Sequence, residues 1–143
     1  GVKTYMTRVD DRFVDLYDRS ELANRVNADL LISVHNNAAG STRTSGSMSL
    51  YYPGGANTNR GLTAKSFASI VQQGLTNGLG TYDHGEISRP GLAVLRTAKM
   101  PAVIAEVGYM TNSSELKKLM DPDYQQTAAE SLKKAVLKAL DKI

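Results

Sequence analysis

Two short apolar runs that each lead into an ionisable residue restrict the possible folds of this chain more than any other feature. Leu30-Leu31-Ile32-Ser33-Val34 runs directly into His35, and Ala102-Val103-Ile104-Ala105 runs directly into Glu106. Runs of this length are too short for a helix, and their near-continuous apolar character is that of strands covered on both faces, as in parallel sheets. His35 and Glu106 are therefore expected at the carboxyl ends of two central strands, where open α/β sheets gather their sites.

The rest of the pattern alternates helix with strand. Residues 2–7 suit a short strand, and residues 10–13 a loop. Asp15 is placed to cap a helix, with Asp18 three positions on and Leu16, Leu22, Ala23 and Val26 as its apolar stripe. Gly40 to Ser47 is a loop, and residues 48–52 form a strand stopped by Pro53-Gly54-Gly55. From Thr58 or Asn59 to about Thr76, Leu62, Phe67, Ile70, Val71 and Leu75 recur at helical spacing, with Gly78 and Gly80 as the stop. Residues 81–91 read as a polar loop, and Leu92-Ala93-Val94-Leu95 is a further short apolar run. Ser113 or Ser114 caps a short helix. Asp121-Pro122, a cap followed by proline at the first helical position, opens the last one, whose apolar face carries Ala128, Leu132, Ala135, Val136, Ala139 and Leu140. The order predicts a three-layer α/β sandwich with a mostly parallel sheet flanked by helices.

At 143 residues the chain has room for one core, hence one domain. Its 17 basic and 14 acidic residues give a net charge of +3, and no basic run exceeds a pair, so no nucleic-acid partner is indicated. The absence of cysteine excludes thiolate ligands, so any metal must be held by His, Asp or Glu. No apolar run approaches the length needed to span a bilayer, so no membrane insertion is expected. The chain opens at Gly1 directly into strand-like sequence, which suggests that something upstream is missing.

Glu106 and His35 each admit two readings. Glu106 pairs with Arg96 or Arg89 while His35 is a core histidine bonded to a backbone carbonyl, or His35 is a metal ligand and Glu106 a general base. Neutral imidazole beside a carboxylate suits metal-assisted hydrolysis. His84, in the polar loop 81–91, is expected to be exposed and not a ligand. Tyr51, Tyr52 and Tyr109 read as packing residues.

The surrounding residues carry a resemblance. Ser33-Val34-His35-Asn36-Asn37-Ala38, preceded by Arg19-Ser20-Glu21-Leu22-Ala23-Asn24, resembles the S-I-H-x-N-A segment of the zinc-dependent N-acetylmuramoyl-L-alanine amidases of the LytC type. Thr7-Arg8 with Asp10 or Asp11, Val94-Leu95-Arg96, and Pro101 to Asn112 around Glu106-Val107-Gly108-Tyr109 are similar to further segments of that family, in order along essentially the whole chain. Several linked motifs in register are more specific than one. The resemblance implies zinc (Zn2+) as cofactor, peptidoglycan as partner, hydrolysis of the amide between N-acetylmuramic acid and L-alanine, and an extracytoplasmic or cell-wall location. It implies His35 as the later zinc histidine and Glu106 as the catalytic carboxylate, with Asn37 and Arg96 as candidates for substrate contact. The family's first His, in a D-x-G-H-G segment, and its ligand Glu have no counterpart, so the domain is expected to be N-terminally incomplete, lacking a first strand and helix. A wall-binding module of the same fold, or a metallopeptidase acting on another amide, are the alternatives.

Overall fold

The structure is a computed structural model that describes residues 1–143. Nine elements follow in chain order: α1 (Leu16–Arg25), β1 (Leu31–Asn37), β2 (Ser47–Tyr51), α2 (Ala64–Leu79), β3 (Asp83–Ser88), α3 (Ala93–Arg96), β4 (Ala102–Tyr109), α4 (Ser113–Leu119) and α5 (Pro122–Leu140). The sheet runs β1-β4-β2-β3. β1 is parallel to β4 and β2 parallel to β3, while β2 and β4 meet antiparallel. Helices cover both faces, so the three-layer α/β sandwich with a mostly parallel sheet is the observed architecture.

Side-chain alternation along β4 divides the interior in two. Val103, Ala105 and Val107 pack with Phe67, Val71 and Leu75 of α2 and with Ala128, Leu132, Ala135 and Ala139 of α5. Ala102 and Ile104 face the other way, onto Ala23 of α1, Val94 and Leu95 of α3, and Leu50. Phe67, Val71, Leu75 and Val103 are fully buried, and full burial of such a side chain stabilises by about 1.5–3 kcal/mol. α2 and α5 approach closely because glycine faces small residues: a Cβ at Gly74 would press on Ala135 at 3.0 Å, and one at Gly78 would overlap Ser131.

Local chemistry explains the helix ends. The Asp15 side chain accepts from Tyr17 N–H and caps α1, and Asp121 caps α5 with Pro122 in its first turn. α2 begins later than its periodicity predicts. Thr63 and Ser66 form a reciprocal capping box, while residues 58–62 close a turn in which Thr58 Oγ1 accepts from Leu62 N–H and Gly61 takes φ +86°. At its far end Gly78 stays helical, and Gly80, left-handed at φ +65°, is the stop. The short helix α4 is capped by Asn112, which accepts from Ser114 and Glu115 N–H, and not by Ser113 or Ser114.

Three expectations fail. Residues 2–7 form no strand and lie exposed, because no neighbour takes up their backbone hydrogen bonds: β1 pairs only with β4. β1 is not covered on both faces. It is the edge strand, and Val34 is 57% exposed. Residues 83–88, read as loop for their polarity, form β3. Pairing with β2 supplies their backbone partners, and buried Gln72 of α2 donates to Asp83 Oδ1 at 2.6 Å.

Candidate active site

β1 and β4 place His35 and Glu106 as direct partners in the parallel ladder, with Met48 of β2 opposite Glu106 on its other side. Alternation along each strand sends both side chains toward the α1 and α3 layer, since Glu106 follows Ala102 and Ile104 on β4 and His35 follows Leu31 and Ser33 on β1. Neither residue ends its strand as expected: β1 continues to Asn37 and β4 to Tyr109.

His35 is half-buried and its Nε2 lies 2.8 Å from Ser33 Oγ, on the same face two residues earlier. Its partner is thus a hydroxyl and not the backbone carbonyl of the simple core reading. Burial, reinforced by the positive charges of Arg19 and Arg8, holds the ring below the usual histidine range and favours neutral imidazole. His35 and Ser33 line a cleft of about 380 Å³ with Arg8, Arg19, Val94 and Met110.

Glu106 is the electrostatic exception of the fold. The one ion pair in the structure joins Arg12 to Asp10, so neither Arg96 nor Arg89 pairs with Glu106. Its Oε2 is buried with no hydrogen-bond partner, and burial pushes the carboxyl above the usual carboxylate range. An unpartnered buried carboxylate is costly to keep and is the type of group found where a proton must be taken up and released.

Asn37 lies one step beyond a register shift in β1. Its Oδ1 accepts from Ala38 N–H at 2.8 Å, and its Nδ2 has only the Met48 sulfur at 3.6 Å. Arg96 ends α3, exposed. His84, expected in an exposed loop, is half-buried in β3, edge-on to Tyr82 and Tyr109, with Nε2 2.7 Å from Ser45 O. Tyr109 is buried as packing requires. Another concavity, about 850 Å³ between Arg60, Lys65, Lys138 and Lys142, is lined by α2 and α5 and contains neither His35 nor Glu106.

A protein-family profile described as N-acetylmuramoyl-L-alanine amidase matches residues 1–138. The chain belongs to this amidase family. Its sequence is 33% identical to the Bacillus subtilis protein YqiI over 92% of this chain and 61% of that protein. It is 32% identical to the B. subtilis N-acetylmuramoyl-L-alanine amidase LytC, over 92% of this chain and 26% of LytC. Among solved structures, the catalytic domain of the amidase CwlV from Bacillus (Paenibacillus) polymyxa superposes with TM-score 0.88 at 29% identity, covering 99% of this chain and 74% of that one. An N-acetylmuramoyl-L-alanine amidase from Clostridium difficile 630 gives TM-score 0.84 at 33% identity, over 94% of this chain and 70% of that one. The chain thus spans less than two thirds of the length of the two B. subtilis relatives.

The donor set does not complete the zinc site that the amidase resemblance implies. Catalytic zinc ordinarily takes three protein ligands, and no group of three or more His, Cys, Asp or Glu side chains in this chain could hold a metal ion. His35 is one donor of the right type. No helix is long and apolar enough to cross a membrane.

Sequence reasoning missed Glu115. On α4, its carboxylate accepts from Gly46 N–H at 2.9 Å and Tyr109 N–H at 2.7 Å. The only sequence signal was its place three residues after the cap Asn112, which reads as ordinary first-turn acidity.

Proposed function

We propose that this single domain is the catalytic unit of an N-acetylmuramoyl-L-alanine amidase, hydrolysing the amide between N-acetylmuramic acid and L-alanine in peptidoglycan. The observation that carries the reading is Glu106: a half-buried carboxyl whose Oε2 is buried without a hydrogen-bond partner, beside His35 in a chain of this family.

Glu106 acts as general base. It takes a proton from the water that attacks the amide carbonyl, and it returns that proton to the nitrogen as the C–N bond breaks, releasing a free amine and a carboxylic acid. A raised pKa suits both halves of this exchange. His35, neutral, stands beside Glu106 as its ladder partner, with Nε2 2.8 Å from Ser33 Oγ. The Asn37 Nδ2, without a strong acceptor, is available to a substrate carbonyl, and the Arg96 guanidinium to a substrate carboxylate, which it matches bidentately.

Zinc dependence is part of the proposal, with His35 as one ligand. Action on peptidoglycan implies a location outside the cytoplasmic membrane. The incomplete donor set also favours a second reading, a wall-binding domain of the same fold that does not cut. Release of dye from labelled cell wall by the full-length protein separates the two. Soluble label from the parent and about 10²–10⁴-fold less from Glu106→Gln supports the enzyme. Wall sedimentation of the protein with no label released overturns it.

A further inference from the structure

The antiparallel ladder between β2 and β4 stops at Glu106. Its partners are Leu50 with Ile104, Ser49 with Ala105 and Met48 with Glu106, and there are none beyond. Past that point side chains replace the backbone pairing. Ser47 Oγ donates to Val107 O at 2.7 Å. The Glu115 carboxylate, reaching up from α4, stands between the strands with one oxygen on Gly46 N–H and the other on Tyr109 N–H.

A glycine on each side borders this insertion. Gly46 has φ +110°, and a Cβ there would meet the Tyr82 carbonyl; a Cβ at Gly108 would lie 3.3 Å from Glu115 Oε2. The segment that Gly46 closes, residues 38–46, is pinned at two further points. Ala39 N–H donates to Thr111 Oγ1 at 3.1 Å, and Ser45 O lies 2.7 Å from His84 Nε2. This strap crosses from the end of β1, starting three residues after His35, to the start of β2, ending two residues before Met48, the ladder partner of Glu106.

We propose that Glu115 is a positioning residue of the amidase site: its carboxylate holds β2 apart from β4 just beyond Glu106, which fixes the Glu106 backbone and seats the 38–46 strap beside it. The role rests on the reading of Glu106 as the general base. Two N–H donors face Glu115, so both of its oxygens must accept. Glutamine is nearly isosteric but has a single acceptor oxygen, and its NH2 group would oppose one of the two amides.

The test compares the full-length parent with Glu115→Gln at a temperature where circular dichroism shows both fully folded. Amide hydrogen exchange at Gly46 or Tyr109 is expected to speed up at least tenfold, and the Glu106 amide NMR signal to move. With labelled wall fragments as substrate, kcat per folded molecule, the folded fraction being fixed by circular dichroism, is expected to fall at least tenfold while KM stays within twofold. Unchanged exchange at both amides overturns the clamp. Faster exchange with an unmoved Glu106 signal and parental kcat reduces Glu115 to a loop anchor and overturns the positioning role. If the parent itself releases nothing, the amidase reading fails, and the exchange and Glu106 signals still decide whether the carboxylate positions that strand.

Discussion

Replacing Glu106 with glutamine is expected to stabilise the fold while removing activity. The Oε2 atom is buried with no partner, and glutamine leaves a polar atom there but removes the charge, whose unpaired burial costs about 1–3 kcal/mol beyond that of a neutral group. The residue as a whole is only half-buried, so solvent screening puts the recoverable part near the low end, about 1 kcal/mol. For a domain of this size that corresponds to a rise in Tm of about 3–5 °C. The pH dependence follows from the raised pKa. Below the ordinary value of 4.5 the carboxyl is protonated in folded and unfolded states alike, and parent and variant differ little. As pH rises through the raised folded value, the unfolded chain ionises more readily than the folded one, so the parent loses stability relative to Glu106→Gln. Thermal unfolding of chelator-treated protein between pH 4 and pH 8 reads this directly. A variant no more stable than the parent at pH 8 would show that the Glu106 carboxylate is satisfied in solution, and a gap unchanged from pH 8 down to pH 4 would show that ionisation is not its source; either refutes the reasoning.

Two further outcomes are expected. His35→Ala should lower zinc affinity of the full-length protein at least tenfold in competition with a chelator, while Glu106→Gln leaves it within threefold; equal affinity would return His35 to a packing role. Gln72→Ala should destabilise by about 2–4 kcal/mol in urea unfolding, because Gln72 accepts from Ser49 Oγ and donates to Ser47 O and Asp83 Oδ1, leaving buried partners unpaired; a cost below about 0.5 kcal/mol would mean that water replaces it.

The layered architecture was legible because β4 and the two long helices carry their burial in their sequence: Ala102 to Ala105 is continuous, and Phe67, Val71 and Leu75 repeat at helical spacing. β3 was not, since Asp83-His84-Gly85-Glu86 has no apolar alternation and is held by pairing with β2 and by long-range bonds to Gln72 and Ser45. The tail at residues 2–7 failed for the converse reason, strand-like composition with no neighbour to pair with. At the site, His35 and Glu106 stood out as ionisable residues interrupting apolar runs, but that they are ladder partners depends on the register of two strands distant in sequence, which no local pattern encodes. Glu115 stayed hidden because its two donors are backbone amides at Gly46 and Tyr109, and backbone amides leave no mark on a sequence.

The central claim is the bond that is cut, and mass analysis of the ends released from purified peptidoglycan by the full-length protein tests it most directly. Amide hydrolysis at Glu106 predicts free L-alanine amino termini on the released stem peptides, glycan strands bearing intact lactyl carboxylates, and neither product from Glu106→Gln. New reducing sugar ends, or cuts within the peptide that leave L-alanine joined to the glycan, would contradict it.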